Sequence, residues 1–99
     1  MTYKIPRIIG IYKIECGEKI YIGQSIHIFS RWADHFLALI MGSHKNLRLQ
    51  GDFAIYGMKS FTFGIIEICK KEELNIREKY YINQAIRNKG RKNIYNIKI

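Results

Sequence analysis

Residues 10–23, GIYKIECGEKIYIG, decide how this 99-residue chain is read. Two trios stand in mirrored order, Gly10-Ile11-Tyr12 and Tyr21-Ile22-Gly23. The flanking runs, RIIGIYKI over 7–14 and EKIYIG over 18–23, are short and β-branched, so each reads as a strand. Cys16-Gly17 supplies the turn. An even-length loop centred there sets Tyr12 directly opposite Tyr21, so both phenols stand on one face of the sheet. Glycine weakens a strand, so Gly10 and Gly23 need a reason. One is a bulge; the other is close approach by a backbone or a ligand.

Downstream the period changes from strand to helix. Ser25 reads as an N-cap, and Ile28, Phe29, Trp32, Phe36, Leu39 and Ile40 recur at helical spacing to about Met41. Gly42 stops that helix. A second helix spans about His44 to Tyr56 and ends at Gly57. Residues 61–69, FTFGIIEIC, read as a third strand, and a third helix runs from near Lys71 to about Arg87. After Gly90, NIYNIKI closes the chain as an extended segment. The order ββααβα plus a tail predicts an α+β fold, a small three-stranded antiparallel sheet flanked by helices. Residues 1–99 are expected to form one domain, without repeats or linkers.

Composition narrows the function classes. Seventeen Lys and Arg stand against eight Asp and Glu, a formal charge of +9, which favours a polyanionic partner, nucleic acid before membrane. No apolar run approaches a membrane span and no signal-peptide core is present, so a soluble, cytoplasmic protein is expected. Cys16 and Cys69, even with His27, His35 and His44, match no zinc spacing and read as reduced, packing cysteines.

Three residues break the amphipathic pattern. Glu78 falls within the apolar stripe Leu74, Tyr81, Ile82, Ala85, Ile86 of the third helix. A carboxylate aimed at a core is costly unless paired or bound to a metal. It is therefore a salt-bridge partner, a metal ligand or a catalytic acid or base. Arg31 and His35, four residues apart, stack beside the stripe of the first helix, half-buried; they are either ordinary neighbours or part of a site.

Taken together, Gly10-Ile11-Tyr12, Tyr21-Ile22-Gly23, Arg31, His35, Glu78 and Asn96 resemble the GIY-YIG nuclease domain, in order and spacing, over about Arg7 to Ile97. The phage and intron homing-endonuclease group is the most similar in flavour. The resemblance implies metal-dependent hydrolysis of DNA phosphodiesters. So few carboxylates argue against a two-metal site and for one Mg²⁺ (or Mn²⁺) on Glu78. The resemblance further implies Arg31 as phosphate clamp, Tyr12 as general base with its pKa lowered by the metal, Arg31 or Lys13, and Tyr21 as hydrogen-bond donor to nucleophile or phosphate. His35 would assist proton transfer or orient Tyr21, and Asn96 would order the site from the tail. Gly10 and Gly23 would let the DNA backbone approach the sheet. Further DNA contacts are expected from Lys13, Gln24, Ser25, His44, Lys45, Arg48, Arg87, Lys89, Arg91 and Lys92. The core motifs fill the chain, so target specificity is expected to be weak, supplied by a partner, or built into loops 42–50 and 87–92; a homodimer is a further possible assembly. The alternatives are a catalytically silent nucleic-acid-binding module on the same scaffold and a small basic RNA-binding protein.

Overall fold

The structure, a computed structural model, describes residues 4–97. Its centre is the hairpin of β1 (Gly10–Cys16) and β2 (Lys19–Ser25). The turn is one residue later than the sequence suggests. Gly17 adopts φ +59° and shares the two-residue loop with Glu18, a left-handed position that glycine fills without a Cβ penalty. The register therefore pairs Tyr12 with Gly23 and Ile14 with Tyr21, not Tyr12 with Tyr21. The slip is even, so both tyrosines keep the same face as diagonal neighbours. Their ring centroids are 6.3 Å apart.

β3 (Phe61–Ile68) pairs antiparallel with the other side of β1, giving the order β2-β1-β3. A bulge between Ile11 and Tyr12 leaves Ile66 unpaired. Alternation then sorts two cores. Tyr12, Ile14, Cys16 and Phe61 pack with Ile28, Leu39, Leu49 and Tyr95, beneath α1 (Ile28–Met41) and α2 (Leu47–Tyr56). Ile11, Ile20 and Ile22 pack on the opposite face with Leu74, Ile82, Ala85 and Ile94, beneath α3 (Leu74–Lys89). The α+β architecture and its three-stranded antiparallel sheet are as expected.

Helix starts differ from expectation because polar caps set them. His27, not Ser25, caps α1, with its ring accepting from Ser30 N–H at 3.3 Å. The Ser25 hydroxyl accepts from His27 N–H one turn earlier. Asn46 caps α2 through Leu49 N–H at 3.1 Å, so that helix begins at Leu47 rather than His44. A 3₁₀ turn, Lys71–Glu73, precedes α3. Gly42 ends α1 at φ +72°, where its N–H and that of Ser43 reach Leu39 and Ala38 carbonyls.

The C-terminal tail covers the free edge of β2, which limits edge-to-edge pairing. Ile94 bridges Ile20 in parallel, and Tyr95 N–H donates to the Ile20 carbonyl at 2.8 Å. Asn96 accepts from Ile22 N–H at 3.0 Å and donates to the Ile22 carbonyl at 2.7 Å. Its side-chain amide thus stands in for a strand residue. The last two residues of NIYNIKI lie outside the described residues. Cys16 and Cys69 are free thiols. Among the described residues no helix is long and apolar enough to cross a membrane.

Candidate active site

Beside the β2 edge, α1, the α1–α2 loop, α3 and the tail enclose a cleft of about 520 Å³ lined by Tyr21, Arg31, Asp34, His35, His44, Lys45, Glu78 and Asn96, among others. α3 lies under the far face of the sheet, yet Glu78 reaches this cleft because α3 runs alongside the edge strand, where Glu78 accepts from Gln24. Residues from both sides of the sheet therefore meet at one rim.

The α1 side is built on helical periodicity. Ile28, Trp32, His35 and Leu39 follow spacings of four, three and four, and Ile28, His35 and Leu39 are buried. His35 thus occupies a core position, not the half-buried flank expected for it, and Arg31 stands exposed at the rim. Placed there, His35 Nε2 lies 2.7 Å from Tyr12 Oη and its Nδ1 lies 2.7 Å from His44 Nε2. The His35 and His44 rings stack at 5.0 Å.

One backbone amide orients this chain of hydrogen bonds. Asn46 N–H can only donate, and it donates to His44 Nδ1 at 3.0 Å. Neutral His44 therefore carries its hydrogen on Nε2 and donates to His35 Nδ1. Neutral His35 then carries its hydrogen on Nε2 and donates to Tyr12 Oη. Both rings are held neutral: burial, then Arg31 and His44, lower His35 to about 4, and burial, then Arg31, lowers His44. His35 is consequently a donor toward Tyr12 in the resting site.

Burial and the adjacent Tyr21 push the Tyr12 phenol well above its ordinary value, and Arg31 opposes them incompletely. Tyr21 is also raised, by burial first. The resting site therefore holds two neutral phenols. Lys13 takes no part in this balance, contrary to expectation. It alternates onto the opposite face of β1 and pairs with Glu15 at 2.9 Å.

Glu78 is half-buried, and burial raises its carboxyl while the Gln24 hydrogen bond opposes that shift. Among the described residues neither Glu78 nor Arg31 forms an ion pair. No group of three or more His, Cys, Asp or Glu side chains is arranged to hold a metal among those residues. Glu78 and Asp34 are the carboxylates in the cleft lining, and Glu78, half-buried and without an ion pair among the described residues, fits a hard cation that takes its other ligands from phosphate and water. It does not fit a closed zinc site or a pair of ions.

The remaining sequence-predicted positions separate. Lys45 and His44 line the cleft. Gly10 and Gly23 are buried, and their missing Cβ atoms make room for the protein's own groups. A Cβ on Gly10 would overlap the Glu67 carbonyl, and one on Gly23 would overlap the ring and hydroxyl of Tyr12. Arg48 and Arg91 spend their guanidinium hydrogens on the tail. Arg48 reaches the carbonyls of Ile94 (2.7 Å) and Lys92, and Arg91 those of Ile94 (3.2 Å) and Ile97 (3.1 Å). Lys89 leans toward Glu18. Arg87 and Lys92 are exposed and outside the cleft lining.

Sequence reasoning overlooked Asp34, which lines the cleft. It also overlooked Asn46, whose buried side chain caps α2 and donates to Tyr95 O at 2.7 Å. An Asn directly before the LRL run is an N-cap signal, which placing the helix start at His44 concealed.

Comparison with known proteins gives a consistent picture. The model of the GIY-YIG catalytic domain matches residues 8–95. Intron-associated endonuclease 1 of Enterobacteria phage T4 is 34% identical over 79 residues, which cover 76% of this chain and 32% of that protein. The chain thus spans about a third of that relative's length. The catalytic domain of the homing endonuclease I-TevI superposes with a TM-score of 0.79 at 29% identity, covering 92% of this chain and 99% of that domain. A single-site mutant of that catalytic domain gives 0.78 at 30% identity, covering 91% and 93%.

Proposed function

Because this chain belongs to the GIY-YIG catalytic domain family, we propose that it is a DNA endonuclease domain that hydrolyses phosphodiesters with one divalent cation. The observation that carries this reading is the pairing of opposites across one cleft. Arg31 and Glu78 both line it, and neither is neutralised by another side chain among the described residues. Unpaired charges of both signs at one rim suit a ligand that brings its own anion and cation, such as a phosphodiester with Mg²⁺ or Mn²⁺.

Hydrolysis joins a water oxygen to phosphorus, breaks a P–O ester bond and leaves an alkoxide that takes up a proton. Arg31, with its fork of donors, faces the negative charge that builds on the non-bridging oxygens. Glu78 would hold the cation, which when bound supplies positive charge near the scissile phosphate and its leaving oxygen. Tyr12 takes the water's proton, directly or through a second water. Its phenolate is supported by the His35 N–H, which already points at Oη, and by Arg31. Burial keeps the resting phenol protonated, so that proton must first pass to solvent, and the base forms only in the loaded site. Tyr21, 5.3 Å from the His35 ring by centroid, donates from the edge strand to the nucleophile or phosphate. His44 and Asn46 fix the His35 tautomer, and Asn96 holds β2 in place beneath Tyr21. Lys45 and the net positive charge draw the polyanion in.

The test is supercoiled plasmid incubated with the purified chain and Mg²⁺, with EDTA and Glu78→Gln as controls. Nicked or linear product that both controls remove is expected. A folded chain that retards DNA on a gel without cutting it would instead establish the silent binding module.

A further inference from the structure

The geometry points to Gln24 and Asn75 as the residues that position the Glu78 carboxylate, an assignment that rests on reading Glu78 as the cation-holding group. Gln24 lies on β2 with its side chain toward α3, and its Nε2 contacts two oxygens. It is 2.8 Å from Asn75 Oδ1 and 3.3 Å from Glu78 Oε1. Asn75 and Glu78 sit three residues apart on α3, so they present one face to the edge strand.

Donor and acceptor chemistry fixes every orientation in this trio. An ionised carboxylate can only accept, so the NH₂ end of the Gln24 amide must face Glu78. The same nitrogen has one more hydrogen, and Asn75 takes it, so Asn75 must turn its carbonyl inward. The Gln24 amide is thereby held at two points. Glu78 has no ion-pair partner and no other side-chain donor among the described residues. A free glutamate side chain would have several rotamers to lose when it took up an ion, an entropic cost. Gln24 bears that cost in advance: it secures Oε1 and leaves Oε2 for the cleft. Gln24 is therefore a positioning residue, and its amide is committed to the protein rather than free for DNA.

Two measurements on the full chain test the assignment. The first needs no metal. In the NMR spectrum both Nε2 hydrogens of Gln24 should exchange slowly with water, Asn75→Ala should release one, and Glu78→Ala the other. Free exchange of both in the unaltered protein overturns the assignment. The second uses Mn²⁺ alone and reads the paramagnetic broadening of backbone amides around residue 78. Glu78→Gln should abolish it. Gln24→Ala should require on the order of 10–100 times more Mn²⁺ for the same broadening, and Asn75→Ala a smaller increase, with unchanged spectra elsewhere. If Glu78→Gln abolishes broadening while Gln24→Ala leaves it unchanged, the positioning role is overturned and the cation site stands. If Glu78→Gln leaves it unchanged, the cation site falls, and the positioning role with it.

Discussion

Tyr12 Oη and His35 Nε2 lie 2.7 Å apart and join the central strand to the core stripe of α1. The contact is buried, so it has a consequence for stability. His35 is lowered to about 4 from the ordinary 6.5, by burial and then by Arg31 and His44. The unfolded chain binds the proton more readily, so stability rises with pH. The contribution is complete above about pH 6.5 and is lost as pH falls through about 4. At about 1.4 kcal/mol per unit it amounts to roughly 3 kcal/mol. Urea unfolding at pH 7 and pH 4.5 should show this loss, and His35→Gln should shrink it. An equal loss in the variant would show that His35 is not the titrating group.

On the proposed reading, with Tyr12 as the base, the same hydrogen bond should govern the pH dependence of cleavage. The phenol of Tyr12 stays protonated at rest, so its basic form becomes more abundant as pH rises. Cleavage at fixed Mg²⁺ should therefore climb about tenfold per pH unit through the neutral and mildly alkaline range. Tyr12→Phe should remove both the rate and the slope, while Tyr21→Phe should lower the rate and keep the slope. A Tyr12→Phe enzyme with the original slope would assign the base elsewhere.

How much of this site could be read beforehand depends on which residues are local and which are assembled. The mirrored trios place both tyrosines on one sheet face whatever the turn, because any even register slip preserves the face. The register itself escaped, since it depends on Gly17 taking φ +59° one residue later than the apolar pattern suggests. Glu78 stood out because a carboxylate in an apolar stripe is visible in periodicity alone. What it faces was not visible, since Gln24 lies 54 residues away. Reading Arg31 and His35 as one half-buried pair hid the difference between them. The spacing of Ile28, Trp32, His35 and Leu39 assigns His35 to the core and leaves Arg31 at the rim. The α1–α2 loop was the least legible. There His44 and Asn46 act through bonds to His35 and Tyr95 that no local pattern announces.

Glu78→Gln and Arg31→Ala should separate chemistry from folding. Burial already disfavours the Glu78 charge, so its replacement by an amide of the same shape should leave Tm unchanged or slightly raised at pH 7 while cleavage disappears. Arg31 is exposed and makes no ion pair among the described residues. Its truncation should cost little stability and on the order of 10² or more in cleavage rate. Thermal melts beside plasmid assays check both. Loss of cleavage accompanied by a large fall in Tm would make either residue structural.

Gly10→Ala and Gly23→Ala test whether the strand glycines serve the protein or the DNA. A methyl group at Gly10 would strike the Glu67 carbonyl, and one at Gly23 the Tyr12 phenol. Each should destabilise by about 1–3 kcal/mol, as overpacking does. Gly23→Ala should also slow cleavage by shifting Tyr12 from His35, whereas Gly10→Ala should leave the folded fraction active. Unchanged stability with weakened DNA binding would return both glycines to a DNA-facing role.

Asn96 offers the sharpest separation between a residue that touches substrate and one that builds the site. Its amide meets both backbone groups of Ile22, at 3.0 and 2.7 Å, and it is buried. Asn96→Ala leaves a donor and an acceptor on the edge strand without partners, at about 1–3 kcal/mol each where water cannot reach. A loss of about 2–4 kcal/mol would lower Tm by on the order of 15 °C in a domain of this size. Asn96→Asp keeps the acceptor for Ile22 N–H but sets a carboxylate against the Ile22 carbonyl, so it should rescue little. Because Tyr21 immediately precedes Ile22, the freed strand should also let its phenol drift. Cleavage should then fall even at low temperature, where the variant is folded, and added Mg²⁺ should not restore it. If Asn96→Ala melted like the unaltered chain and lost only cleavage, Asn96 would belong among the groups that contact the DNA. If it lost stability alone, the tail would be a clasp on β2 with no bearing on how Tyr21 is aimed.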